Sequence, residues 1–129
     1  MKIFLDTSTP NCYLALDDGQ SEIKEYNWYA DRNLANGLLR YIVDMLEDSS
    51  ATLNDLSGVG VKKGPGSFTG LRIGLTVANT LATELQIPIV GATNENWLAE
   101  CRRLLAIGQS HQIIMPSYGQ SPNITLPIR

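Results

Sequence analysis

The chain alternates between short apolar runs and longer segments in which apolar residues recur at helical spacing. Two compact apolar runs, over residues 2–5 and 12–16, and a more charged run over 21–28 predict a β-meander whose third strand lies at a sheet edge. Two further apolar runs, at 59–61 and 87–92, predict a fourth and a fifth strand. The pattern therefore predicts five short strands.

Three segments after the meander have the spacing of helices. The first runs from a cap at Asn33 to about Asp48, and the second follows a glycine-rich loop and continues through Gln86. The third begins with Asn94 as its cap and stops at Gly108. The predicted order of elements is β-β-β-α-β-α-β-α.

Length and composition indicate one domain followed by a tail. A chain of 129 residues with 43% hydrophobic and 18% charged residues is long enough for a single modest core. Repeated prolines exclude a regular helix near the C-terminus, so residues 1–108 are predicted to form the domain and 109–129 an extended tail. With no apparent leader and no apolar run of membrane length, we expect a soluble cytoplasmic protein.

A glycine-rich loop joins the fourth strand to the second helix. Gly64 and Gly66 permit a tight turn around Pro65, and Ser67 or Thr69 can cap the helix that follows. Free N–H groups at a helix start can also hold a phosphate, but this loop ends in Gly-Leu-Arg instead of the Gly-Lys-Ser/Thr of a Walker-type loop. We therefore favour a structural loop over an anion site. The residues assigned to this structural loop are Gly64, Pro65, Gly66, Ser67 and Arg72.

Arg72 carries a positive charge close to the start of the second helix. The helix dipole makes a cation there unfavourable by about 0.3–1 kcal/mol. We therefore expect a carboxylate or a loop carbonyl to contact its guanidinium, with anion binding as the alternative.

The second helix carries two apolar stripes, and one sheet can cover only one of them. The first has almost no side chain and consists of Gly70, Gly74, Ala78 and Ala82. The second is bulky and consists of Ile73, Val77, Leu81 and Leu85. A helix can approach the small stripe closely, so we expect the first two helices to form a face that meets a partner. The predicted partner interface consists of Leu34, Leu38, Tyr41, Ile42, Met45, Gly70, Leu71, Gly74, Leu75, Ala78 and Ala82.

Few residues suggest catalysis or a cofactor. Asp6 ends the first strand, where kinase and actin-type folds place a carboxylate that faces metal and phosphate, but we favour a turn aspartate that accepts N–H bonds. Cys12 and Cys101 are too few for a disulfide framework or a zinc site and are predicted to be reduced, buried thiols. The single His111 leaves no visible histidine cluster or triad. We predict no catalytic residues, no metal and no cofactor.

With its predicted elements in this order, the chain resembles the TsaB (YeaZ) family. The similarity covers roughly residues 1–105 and rests on three stretches, Ile3–Ser8, Gly64–Gly74 and Pro88–Gly91. It implies an α/β fold, namely a single actin/Hsp70-like (ASKHA, ribonuclease H-like) domain with a mixed five-stranded sheet. Family members normally carry a second domain of similar fold, so the resemblance implies a short version without it. The segment 110–129 resembles the family's closing tail.

The resemblance also implies a role in making N6-threonylcarbamoyladenosine at position 37 of tRNA. TsaB-like subunits are not the catalyst of that machinery. We therefore expect a non-catalytic scaffold and dimerisation subunit that docks onto a TsaD-like catalytic subunit, with a TsaE-like ATPase in the assembled complex. The chain alone is expected to form a homodimer and to meet tRNA only indirectly.

Two other function classes remain open. One is a nucleotide-binding enzyme of the actin/Hsp70-like phosphotransferase or peptidase class, which the absence of a metal-ligand cluster or a placed nucleophile–base pair disfavours. The other is a tRNA-binding module, which a net charge of −3 and a pI near 5.0 disfavour. The sequence leaves open the oligomeric state, a nucleotide at the partner interface, and which helix face meets the partner.

Overall fold

Five strands and three α-helices follow one another in the predicted order. This computed structural model describes residues 1–111 and 113–117. The strands are β1 Lys2–Asp6, β2 Asn11–Asp17, β3 Lys24–Tyr29, β4 Gly58–Gly64 and β5 Ile89–Thr93. The helices are α1 Leu34–Asp48, α2 Phe68–Leu85 and α3 Trp97–Ala106, with 3-10 turns at Asp31–Asn33 and Leu53–Asp55.

The strands form one mixed sheet in the order β3-β2-β1-β4-β5. β1 pairs antiparallel with β2, and β2 pairs antiparallel with β3, because only short loops connect them. β1–β4 and β4–β5 are parallel pairs, since helical crossovers return the chain to the same end of the sheet. The predicted five-stranded mixed sheet, with β3 at an edge, is confirmed.

Side chains on alternate positions of the strands face two different helical layers. On β1, Ile3 and Leu5 pack with α1 and α2, whereas Phe4 packs with α3 on the opposite face. Gly60 of β4 leaves room on the α3 side, because a Cβ there would lie 2.6 Å from Phe4 Cδ1 and 2.8 Å from Cys101 Cβ. The sheet is therefore covered by α1 and α2 on one face and by α3 on the other.

Two of the three predicted helix starts are confirmed, and the third differs because of its backbone conformation. Asn33 is the N-cap of α1, as predicted, although its side chain makes no cap bond. Ser67 is confirmed as the cap of α2, since its Oγ accepts from the Gly70 N–H at 3.2 Å. The predicted cap of α3 at Asn94 is wrong: Asn94 has a φ of +66°, and α3 begins after Asn96. A left-handed residue cannot continue directly into a helix.

The segment predicted as an extended tail is described only in part. Residues 109–111 and 113–117 contain no helix or strand, and they fold back so that Ile114 is buried. Residues 118–129 lie outside the described part of the chain. None of the helices in the described residues has the length and apolar character that crossing a membrane requires.

Candidate partner interface

The glycine-rich loop lies directly on the end of β1. The Ser67 N–H donates to the Ser8 carbonyl at 2.8 Å. A Cβ on Gly66 would overlap Cβ of Ser8, so only glycine allows this contact. The peptide between Gly64 and Pro65 is cis. The loop therefore sets the start of α2 against β1. Arg72, which the sequence analysis assigned to this loop, lies on α2 instead.

The small stripe of α2 faces this same end of β1. A Cβ on Gly74 would overlap Thr7 Oγ1 and lie 2.9 Å from Thr7 Cγ2, and a Cβ on Gly70 would overlap the Thr7 carbonyl oxygen. Thr7 is buried, and its hydroxyl donates to the Gly70 carbonyl at 2.7 Å. The missing side chains are therefore required by packing inside the chain.

This placement puts most of the predicted partner interface inside the chain. Nine of its members are buried in the chain's own core. They are Leu34, Leu38, Ile42, Met45, Leu71, Gly74, Leu75, Ala78 and Ala82. Gly70 and Tyr41 are half-buried, and the Tyr41 ring stacks on Trp28 with centroids 4.7 Å apart. Helical spacing showed which residues share a face, but not which face meets the sheet.

An open apolar groove lies on the outer side of the two helices. It has a volume of about 440 Å³. Phe68, at the first position of α2, is 55% exposed on its rim. Leu39 is 49% exposed and lies one helical turn beyond the groove residue Ala35 on the same side of α1. The α1–α2 groove is lined by Ala35, Phe68, Thr69, Arg72, Ile73, Thr76 and Val77.

Arg72 lies over an aromatic ring on the rim of this groove. Its Cζ is 5.4 Å from the centroid of Phe68. Between the described residues, no ion pair or side-chain hydrogen bond includes Arg72, so the expected carboxylate or carbonyl partner is not found in this part of the chain. The negative face of the ring offsets the charge instead. Sequence reasoning missed Phe68 as a site residue, although an aromatic residue at a helix start, four positions before an arginine, was the available signal.

Asp6 is a turn aspartate, as predicted. Its Oδ1 accepts from the Ser8 N–H at 2.9 Å and from the Ser8 hydroxyl at 2.6 Å. Its other oxygen lies 3.7 Å from Lys62 Nζ, and both side chains are largely buried. The charge of the Asp6 carboxylate is thus balanced by Lys62 of the same chain. In residues 1–111 and 113–117, no group of three or more His, Cys, Asp or Glu residues could hold a metal ion.

Both cysteines are free and buried, which confirms the prediction for them. Burial, and to a smaller extent the charge of Asp6, raises the pKa of the Cys12 thiol to about 11. Burial raises the pKa of the Cys101 thiol to about 12, and its S–H donates to the Val61 carbonyl at 3.8 Å. Both thiols are protonated at neutral pH and are therefore poor nucleophiles.

The names of known proteins that are similar to this chain refer to the synthesis of threonylcarbamoyladenosine in tRNA. Residues 28–110 match the family model described as TsaD: tRNA N6-adenosine threonylcarbamoyltransferase. The tRNA threonylcarbamoyladenosine biosynthesis protein TsaB of Bacillus subtilis (strain 168) is 39% identical over 95 residues, which are 74% of this chain and 42% of that protein. TsaB of Escherichia coli (strain K12) is 32% identical over 97 residues, or 74% and 41% of the two chains.

A solved structure agrees with these relatives. YeaZ from Pseudomonas aeruginosa superimposes with a TM-score of 0.67 and 31% identity, over 83% of this chain and 49% of that one. The chain thus spans less than half the length of the relatives that it matches. It belongs to the TsaD family that the matching model describes, and its predicted resemblance to the TsaB (YeaZ) proteins, with their actin-like α/β fold, is confirmed.

Proposed function

We propose that this chain is a non-catalytic subunit in the synthesis of N6-threonylcarbamoyladenosine at position 37 of tRNA, and that it docks onto a TsaD-like catalytic subunit. The names of its relatives support the pathway. The α1–α2 groove is the observation that carries the docking role. In this proposal a TsaE-like ATPase joins the assembled complex in the cytoplasm, and tRNA contacts this chain only through its partner.

The groove has the composition of a protein contact surface. Phe68 and Leu39 expose large apolar side chains to solvent, and burying such area stabilises a complex by roughly 25 cal/mol per Å². Arginine and aromatic residues are enriched among the residues that dominate binding energy, and Arg72 and Phe68 are already stacked on the rim. An apolar helix of the catalytic subunit, carrying a carboxylate near Arg72, is the partner that this surface fits best.

The groups best suited to chemistry in the described residues are not activated. The Asp6 carboxylate is paired with Lys62, and burial keeps the thiols of Cys12 and Cys101 protonated at neutral pH. These observations support a subunit that binds a catalyst over an enzyme of the phosphotransferase or peptidase class. We expect the pure chain to show no ATP or peptide turnover. Turnover that disappears in a folded Asp6→Ala variant would contradict this expectation.

The docking proposal is tested by a charge placed on the rim of the groove. Phe68→Asp should abolish co-purification with the TsaD-like subunit of the same organism. The fold should survive, because an acidic residue in the first turn of a helix is favourable. Ile107→Asp is the matched control, since Ile107 is 64% exposed and follows α3 on the other face of the sheet. Binding by folded Phe68→Asp, or loss of binding in the control, would argue against this interface.

Without the catalytic subunit, the same groove is proposed to pair two copies of this chain. Exposed apolar area on the two helices favours self-association when nothing else covers it. Light scattering should therefore find a homodimer for the parent chain and a monomer for Phe68→Asp. A parent chain that remains monomeric at high concentration would contradict the proposed homodimer.

A further inference from the structure

The open edge of β5 is closed by a segment that is not a strand. β5 is last in the sheet order, so among the described residues one side of its backbone has no neighbouring strand. Residues 110–111 lie along this side, and residues 113–117 continue across α2 to the end of β4. We name these two stretches the strap.

Hydrogen bonds from the strap satisfy the backbone of β5. The His111 N–H donates to the Ile89 carbonyl at 2.6 Å, as a paired strand would. The Ile89 N–H donates to Ser110 Oγ at 3.3 Å, and the Gly91 N–H donates to His111 Nδ1 at 3.2 Å. Two side-chain acceptors thus replace the carbonyls of a sixth strand. The strap covers an edge that would otherwise present free backbone groups.

Asn79 of α2 holds the middle of the strap. Its Nδ2 donates to the Ile114 carbonyl at 3.0 Å, and its Oδ1 accepts from the Ile114 N–H at 2.9 Å. One carboxamide therefore binds both backbone groups of one residue, in the pattern of a strand pair. The Ile114 side chain is buried, and the Ser117 N–H donates to the Lys63 carbonyl at 2.8 Å further along.

Two glycines leave space along the path of the strap. A Cβ on Gly91 would lie 2.9 Å from Ile114 Cγ2, and a Cβ on Gly64 would overlap the Ser117 carbonyl oxygen. Because real Cβ atoms do not approach other atoms this closely, a side chain at Gly64 would push the strap away, and one at Gly91 would displace Ile114 together with the Lys63 side chain 2.8 Å away. The strap therefore has a fitted place on the domain.

We propose that the strap is a closure, held by Asn79, that keeps the β5 edge from pairing with the same edge of a second copy of this chain. β5 has the sequence Ile-Val-Gly-Ala-Thr, with no charge or proline to discourage pairing along its length. Its apolar, uncharged composition makes another copy of itself a suitable partner once the strap is released. This inference does not depend on the proposed role in tRNA modification.

The test releases the strap while the α1–α2 groove is disabled. Asn79→Ala is made in a Phe68→Asp chain, so that self-association through the groove is absent. Hydrogen exchange at the Ile114 and Ser117 amides should become about tenfold faster or more. Light scattering should show dimers that form with increasing concentration, and the Gly91 amide should gain protection in those dimers. Thr80→Ala, an exposed neighbour on α2, is the matched control and should change neither measurement.

Each outcome decides the proposal. Faster exchange together with association at β5 supports it. Unchanged exchange shows that Asn79 does not hold the strap, and faster exchange without association shows that the strap does not guard the edge; either result overturns the proposal. If Asn79→Ala does not fold, Asn79→Asp serves instead, because a carboxylate still accepts from the Ile114 N–H but cannot donate to its carbonyl.

Discussion

The two stripes of α2 meet very different surroundings. On the sheet side, Gly74 and Ala78 are buried, and the backbone of α2 contacts Thr7. On the side of α1, Ile73 and Val77 are only half-buried beside an open groove. The stripe without side chains therefore marks where the chain packs most closely on itself. The first half of the bulky stripe, Ile73 and Val77, borders the groove that we propose as the contact surface.

The largest expected effect comes from adding a side chain to the small stripe. Gly74→Leu should lower the free energy of unfolding by about 3 kcal/mol or more, because the added atoms overlap buried Thr7. Urea unfolding measures this change. Thr76→Leu is the control at an exposed position on the other side of α2, and should change stability by no more than about 0.5 kcal/mol. A stable Gly74→Leu chain that has lost only partner binding would show that the partner contacts the small stripe.

Truncation on the groove side should affect binding more than stability. Phe68→Ala removes an exposed ring, so we expect a loss of about 2 kcal/mol in binding to the TsaD-like subunit, or roughly 30-fold in affinity. Calorimetric titration measures the affinity, and thermal unfolding should show a loss of stability of no more than about 1 kcal/mol, from the contact with Arg72. Equal losses in affinity and in stability would show that both sides of α2 serve the fold alone.

The cap of α2 should affect both sides of the helix together. Ser67→Ala removes the acceptor for the Gly70 N–H and should cost about 1 kcal/mol of stability. Ser67→Asp is the conservative comparison, since aspartate accepts the same bond and complements the helix dipole. Thermal unfolding of the two variants decides the point. A Ser67→Ala chain as stable as the parent would mean that the loop contact with Ser8 alone sets the start of α2.

The smallest expected effect is the interaction on the groove rim. Arg72→Gln and Phe68→Ala, singly and combined, form a double-mutant cycle for stability, with a coupling of about 0.5–1 kcal/mol expected from the cation–π contact. Chemical unfolding of the four chains measures it. Coupling near zero would mean that Arg72 is simply solvated and contributes only when a partner is bound.

Local patterns in the sequence predict much of the fold, but they do not predict the candidate site. Apolar spacing predicted the order of elements, and hydroxyl chemistry at a helix start limited the cap of α2 to Ser67 or Thr69, of which Ser67 is the cap. The same local rules failed at Asn94, whose left-handed backbone places the start of α3 after Asn96. They also did not predict the contact of Arg72 with the aromatic ring of Phe68, one helical turn away. Each failure depends on a conformation or a neighbour that spacing alone does not specify.

The sequence by itself determined which residues share a face, because the helical and strand periods are set by backbone geometry. On α2, this period groups Gly70, Gly74, Ala78 and Ala82 on one face wherever the helix lies. What only the tertiary structure decided is the direction of each face. The small stripe meets Thr7 because the loop at Gly66 lies on Ser8 and sets α2 against β1. Contacts between residues about 60 positions apart fix that orientation, and no local pattern contains them.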